Sequence, residues 1–132
     1  MGAFERLRSL FGGRAELPFD LDNPALEVVA EAFDPAEADS AVLARSPRWR
    51  PAERAVLRHH LVLPATSVDR ARELLAQDGW ELRVVEPGDP SRLQARRAQV
   101  ITALSCAQER SRMAGLAQRL GGDALGWDCL QT

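Results

Sequence analysis

Lysine and tyrosine are absent from this chain of 132 residues, and isoleucine occurs once, at Ile101. All seventeen basic residues are therefore arginines, and nineteen acidic residues bring the formal net charge to −2. A GC-rich genome accounts for such a bias, so the arginine content alone does not indicate phosphate binding. Domains held to nucleic acid by bulk charge are usually distinctly basic. The composition therefore argues against that class of protein.

Cysteine is also scarce. The chain has two, Cys106 and Cys129, and they lie in unrelated sequence contexts. No Cys-x-x-Cys or Cys/His spacing occurs, so we expect no zinc site and no metal or cofactor. No apolar run approaches the roughly 18 residues of a membrane span, and MGAFERLRSLFGG lacks the apolar stretch of a signal peptide. These absences favour a cytoplasmic protein with no membrane span. The sequence leaves open whether the two cysteines form a disulfide, although nothing in it indicates secretion.

Strand-like and helix-like segments alternate from about residue 55 to the end of the chain. AVLRHHLVLPA, WELRVVEP, RLQARRAQVIT and ALGWDCLQ have the character of strands. SVDRARELLAQDG and SCAQERSRMAGLAQRLGG carry apolar residues at helical spacing, with Ser67 and Ser105 as candidate caps. The order predicts an α+β fold over residues 55–132. We expect a ferredoxin-like β-α-β-β-α-β sandwich, with a four-stranded antiparallel sheet and two helices on one face.

Residues 1–54 predict an N-terminal helical arm. Residues 3–11 have one apolar helical face. A second helix is predicted after Asn23-Pro24, because asparagine caps helices and proline suits their first turn. A third is predicted after Asp34, where Glu37 has the spacing of a capping box. The apolar face of the second helix would consist of Leu26, Val29, Ala30 and Phe33.

The arm ends in SPRWRP, which presents Arg48, Trp49 and Arg50 on a loop. Tryptophan and arginine are the residues that dominate protein–protein contacts, and arginine can also grip phosphates. The alternative is that Trp49 folds back over the core and holds the arm onto the domain. Both interpretations fit the sequence.

The C-terminal stretch RLGGDALGWDCLQT predicts a helix end followed by a final strand. Glycine adopts the positive φ needed just past a helix, which explains Gly121-Gly122. Gly126 lies within the strand, where a missing side chain often marks a bulge or a close backbone approach. By alternation, Trp127 is predicted to bury its ring between helix and sheet.

Three stretches together resemble the regulator of ribonuclease activity B family, the protein inhibitors of ribonuclease E. They are RHHLVLP (58–64), ARELLAQDGWELRV (71–84) and LAQRLGGDALGWD (116–128). The resemblance implies a small cytoplasmic protein with a ferredoxin-like domain that acts on a ribonuclease. The chain departs from the family at Ala124-Leu125, where Tyr-Asp is usual, and in lacking strongly acidic stretches. The resemblance covers roughly the last 75 residues well and the arm weakly.

Adjacent strand residues point to opposite faces, so His59 and His60 cannot jointly chelate one ion. We expect one histidine in the core and the other at the surface. The sheet face away from the helices would carry Arg58, His60, Glu81 and Arg83. Asp128 could join them, with either Arg96 or Arg97. No convincing aromatic pair is evident on this face, which weakens the case for base stacking.

No convergent acid–base set is evident, so the sequence predicts a non-enzymatic protein. We expect a regulator that binds a protein partner by occlusion, a ribonuclease if the resemblance holds. The alternative is an RNA- or ribosome-associated module, and a ligand-binding domain is a third class. Both a monomer and a dimer formed through the sheet fit the sequence. The candidate partner-binding residues are Arg48, Trp49, Arg50, Arg58, His60, Arg83 and Asp128.

Overall fold

The computed structural model describes residues 18–132, in which three α-helices accompany one five-stranded antiparallel sheet. The predicted helix over residues 3–11 lies outside the described residues. Within them, no helix is long and apolar enough to span a membrane. The strands are β1 (Glu27–Ala32), β2 (Arg54–Leu63), β3 (Glu81–Glu86), β4 (Ser91–Val100) and β5 (Asp123–Gln131). The helices are α1 (Asp39–Ala44), α2 (Val68–Ala76) and α3 (Ala103–Arg119).

The strands are arranged in the order β1-β5-β2-β4-β3, and every neighbouring pair is antiparallel. The predicted order of elements from residue 55 onward is the observed one. The predicted number of strands was wrong, because the sheet has five strands and not four. The additional strand is β1, which forms one edge by pairing with β5.

The helix predicted after Asn23-Pro24 was wrong, because this part of the arm is β1. Asn23 does initiate local structure, but its side chain accepts the Ala25 N–H in a turn. The following Val28-Val29 pair is β-branched and suits an extended chain. Pairing with β5 supplies hydrogen bonds along this edge, whereas a helix stopped by Asp34-Pro35 would have been short and marginal.

The predicted helix caps were also displaced. Helix α1 begins at Asp39, because Glu37 is held by Arg45 at 2.7 Å and is not available to close a capping box. Ser67 does occupy the N-cap position of α2, as predicted, but its hydroxyl donates to Leu120 O and makes no capping hydrogen bond. The cap of α3 is Thr102, whose side chain and that of Ser105 form a reciprocal capping box. The contacts with Arg45 and Leu120 explain the differences at Glu37 and Ser67. The cap of α3 lies one turn before the predicted Ser105.

The core lies between the helices and one face of the sheet. On β2 the odd-numbered residues face the helices, and Leu57, Leu61 and Leu63 are fully buried there. Trp127 is also fully buried, as predicted, and its Nε1 donates to Asp39 Oδ1 at 3.0 Å. That bond ties β5 to the first turn of α1.

Two glycines near the C-terminus have the predicted roles. Gly121 takes φ +84° just past α3, which a residue with a side chain would rarely adopt. Gly126 has φ +145°, next to a register shift between β2 and β5. A Cβ at this position would lie 2.3 Å from Ala32 O, so the close approach of β1 depends on glycine.

Candidate functional site

The sheet face away from the helices, here called the open face, brings together part of the predicted site. Arg58 and Asp128 are cross-strand neighbours on β2 and β5. The guanidinium of Arg58 donates to both carboxylate oxygens, with Nε at 2.7 Å from Oδ1 and Nη2 at 2.5 Å from Oδ2. His60 Nε2 lies 3.3 Å from the same Oδ1. These three residues form the charge cluster.

The Asp128 carboxyl is buried, and burial alone would raise its pKa. The hydrogen bond from Arg58 and the nearby His60 outweigh burial, so the pKa of Asp128 is lowered from its ordinary value. The cluster therefore holds an ionised carboxylate whose two oxygens are both occupied by Arg58. Such a carboxylate positions the side chains around it.

Phe33, which follows β1 directly, contributes an aromatic ring to the open face. Its ring meets that of His60 edge to face, with centroids 5.0 Å apart. It lies over Gly126, where a Cβ would approach its Cδ1 to 2.7 Å. Phe33 is 45% exposed despite these contacts. Phe33 belonged to the helix predicted after Asn23-Pro24, so it was not among the predicted site residues.

A groove of about 250 Å³ continues from His60 across the open face. Two exposed apolar side chains border it, Val85 from β3 and Leu125 from β5. Arg92 and Gln94 of β4 supply its polar lining. This groove, together with Phe33, forms the uncovered part of the open face.

The other part of the open face is covered by the chain itself. Asp22 accepts from Arg96 at 2.9 Å and from Arg83 at 3.1 Å. These contacts lower the pKa of the Asp22 carboxyl, chiefly through the hydrogen bond from Arg96. The Arg54 guanidinium lies 5.1 Å from the centroid of the Phe19 ring. Arg83, a predicted site residue, is therefore on the open face but already paired.

The two arginines considered for the third strand of the predicted sheet, the observed β4, occupy opposite faces. Arg96 is on the open face, where it also binds Glu81. Arg97 is on the helix face, with its guanidinium 4.1 Å from the centroid of the Trp80 ring. The strand register decides between them, since Arg58 opposes Arg96.

The predicted loop residues 48–50 stand apart from the charge cluster. Arg48 is exposed and pairs with Glu27. Trp49 is partly buried against the core. Arg50 pairs with Glu53 and also donates to Thr132 O at 2.5 Å. The loop is thus attached to β1 and to the C-terminus.

The two adjacent histidines face opposite sides of β2, as predicted. His59 is 2% exposed and meets the Trp80 ring edge to face, with centroids 5.3 Å apart. Burial is the main cause that lowers the pKa of His59 to about 3, so this imidazole is neutral near pH 7. It is a core residue, whereas His60 belongs to the open face.

Metal-ligating residue types do not converge within residues 18–132, where no group of three or more could hold an ion. Cys106 and Cys129 are free and buried, and burial raises the pKa of each thiol to about 12. Comparisons with protein-family models, curated proteins and solved structures found no match to this chain.

Proposed function

We propose that this chain is a small, non-enzymatic regulatory protein of the cytoplasm that binds a protein partner through the uncovered part of its open face. One observation carries the proposal. Phe33, Val85 and Leu125 are 45%, 54% and 40% exposed, beside the charge cluster. Exposed apolar side chains rimmed by polar ones mark interaction surfaces.

The mechanism is occlusion. In the charge cluster His60 Nε2 lies 3.3 Å from Asp128 Oδ1, and the His60 ring packs edge to face on Phe33, so these side chains are in contact before the partner arrives. Preorganised contacts lose less entropy on binding. A partner seated here loses access to the part of its own surface that the sheet covers, and no covalent step is needed.

The partner that we propose is a ribonuclease, because the chain resembles the regulators of ribonuclease activity B. The strand order β5-β2-β4-β3, with α2 and α3 in the two crossover connections, supports a ferredoxin-like description of residues 55–132. In that description β1 is an addition at the β5 edge.

An RNA-binding module is the second candidate, favoured by the contact between the Phe33 and His60 rings. Aromatic side chains on a sheet face can stack bases. Its weakness is charge, because most arginines on this face already bind carboxylates of the same chain. Few cations are left to neutralise phosphates.

The test measures binding of the purified full chain to purified ribonuclease E, together with its effect on cleavage of a fluorogenic RNA. We expect binding and inhibition by the wild type and loss of both in Phe33→Asp. The matched control is Leu104→Asp, because Leu104 is 67% exposed on α3, away from the open face.

Thermal melting of both variants would show that the fold is intact. The ribonuclease is the wrong partner if the wild type does not bind it, and the open face is the wrong surface if both variants bind as the wild type does. In a parallel arm, the wild type is titrated with single-stranded RNA at about 50 and 200 mM salt, because phosphate contacts weaken steeply with salt. Tight, salt-sensitive binding to RNA alone would favour the second candidate.

A further inference from the structure

Arginine pairing singles out one cation on the open face. Eleven arginines among residues 18–132 form an ion pair with a carboxylate of the same chain. Arg54 has its own contacts, including Phe19. Within this part of the chain, Arg92 and Arg119 are left without such a partner.

Arg92 lies in the groove of the open face, beside His60, Gln94 and the two exposed apolar side chains. Glu86 opposes it in the β3–β4 register, yet the two form no ion pair in the described structure. Arg119 lies elsewhere, in a cavity of about 150 Å³ between α2 and α3. Arg92 is therefore the unpaired cation of the proposed binding surface.

A guanidinium in this setting selects a planar anion, because its fork of donors matches a carboxylate. The bordering Val85 and Leu125 favour a bulky apolar group next to that anion. The groove crosses β5, β2, β4 and β3, which is about 14 Å at the usual strand spacing. An extended peptide of about four residues has that length.

We propose that this groove binds an acidic–apolar segment of the protein partner, with a Glu or Asp carboxylate on Arg92 and a bulky apolar side chain over Leu125. The inference rests on the proposed function, since it names the chemistry of the partner at the same surface. Gln94 can bond the peptide backbone, and His60, with the Phe33 ring packed against it, lines one side of the groove.

RNA is the less favoured occupant of this groove. Its binding energy comes largely from phosphates, and each phosphate needs a cation. Arg92 alone offers one such contact, while the neighbouring Arg58 is neutralised by Asp128. One carboxylate beside one apolar side chain matches the available charge better.

The experiment is a titration of the 15N-labelled full chain, followed by backbone and side-chain amide shifts. The probes are acetylated, amidated seven-residue peptides with Glu or Asp two or three residues from Phe or Leu. Gln- and Asn-substituted versions serve as uncharged controls, and a single-stranded RNA 12-mer forms a separate arm. We expect the acidic peptides to shift the Gln94 side-chain amide and the Leu125 backbone amide.

Arg92→Gln should weaken binding of the acidic peptides by about two- to fivefold, the upper part of the range for an exposed charged pair. Arg119→Gln is the matched control and should leave binding unchanged. Arg92→Glu should reverse the preference, so that a Lys-containing peptide binds better than the Glu-containing one.

Three results would overturn the inference. The first is the absence of groove shifts with every acidic–apolar peptide at millimolar concentration. The second is equal weakening by Arg92→Gln and Arg119→Gln, and the third is a response to the RNA 12-mer alone. If Phe33→Asp still abolishes ribonuclease binding in those cases, the partner-binding proposal stands and only the role of Arg92 is wrong. If peptides bind as expected but ribonuclease E does not, the ribonuclease is the wrong partner.

Discussion

Replacing Arg58 by methionine tests whether the charge cluster is organised as the geometry indicates. Arg58→Met keeps most of the side-chain volume but removes both hydrogen bonds to Asp128, whose side chain is 6% exposed. Breaking a buried pair by removing one partner costs about 3–5 kcal/mol. Because the Arg58 side chain is itself 22% exposed, we expect the lower end, about 3 kcal/mol at pH 7.

The pH dependence makes this prediction sharper. His60 lies 3.3 Å from the same carboxylate, so it is a second neighbour of Asp128 that remains when the guanidinium is lost. The comparison is therefore made between His60→Gln and the double variant Arg58→Met/His60→Gln. Acid effects of all other carboxylates are common to both proteins and cancel in the difference.

With Arg58 present, the folded pKa of Asp128 lies below its unfolded value, near 3.8. Its stabilising contribution is then full above that value and is lost as pH falls through the folded pKa. Without Arg58 and His60, burial raises the folded pKa of Asp128 above the unfolded one. In the double variant, the contribution of Asp128 to stability is then full below about pH 3.8 and is lost as pH rises through the raised folded pKa.

The measurement is the free energy of unfolding in urea from pH 3.5 to 7. We expect the difference between the two proteins to be about 3 kcal/mol at pH 7 and to shrink steadily toward the acid end. Arg70→Met is the control, because Arg70 and Glu73 form an exposed pair that should contribute under about 0.5 kcal/mol. A difference that stays constant with pH would refute the account of Asp128.

Trp127→Ala should lower the free energy of unfolding by about 3–5 kcal/mol, measured in urea, because its ring is fully buried; a near-neutral effect would contradict that burial. Gly126→Ala should destabilise by more than about 2 kcal/mol because of its backbone clash, whereas Gly115→Ala should stabilise by about 0.5–1 kcal/mol, since its Cβ meets nothing within 4 Å. Equal melting temperatures for the two variants would count against the β1 geometry. Because Cys106 and Cys129 are buried, neither should react with a thiol reagent in the native chain, and both should react in guanidinium. Reaction of one or both in the native chain would contradict their burial.

Alternation along β2 could be predicted from the sequence because it depends only on strand geometry. The period of two places His59 in the core and His60 on the open face without knowledge of any partner strand. The burial of Trp127 follows from the same rule. Arg96 could not be separated from Arg97 in this way, because the choice requires the register between β2 and β4.

Contacts between distant segments account for the features that the sequence does not predict. Strand β1 pairs with β5, about a hundred residues later, so no local pattern reports the pairing. Asp22 reaches Arg96 and Arg83 across the sheet, and ionic contacts between such distant residues leave no periodic trace in the sequence. Local propensity decided the prediction there, and tertiary pairing decided the structure.

The aromatic ring of the site was missed for the same reason, yet a signal for it is present in the last strand. Gly126 interrupts an otherwise regular strand, and a Cβ there would collide with Ala32 O and with Phe33. The missing side chain is thus what lets β1 approach β5 and places Phe33 over the strand beside His60. A glycine inside a strand can therefore be treated as a prediction that another segment crosses close by. For this chain, Gly126 predicts that an apolar residue from another segment lies over it. That residue is Phe33, which supplies the open face with an aromatic ring.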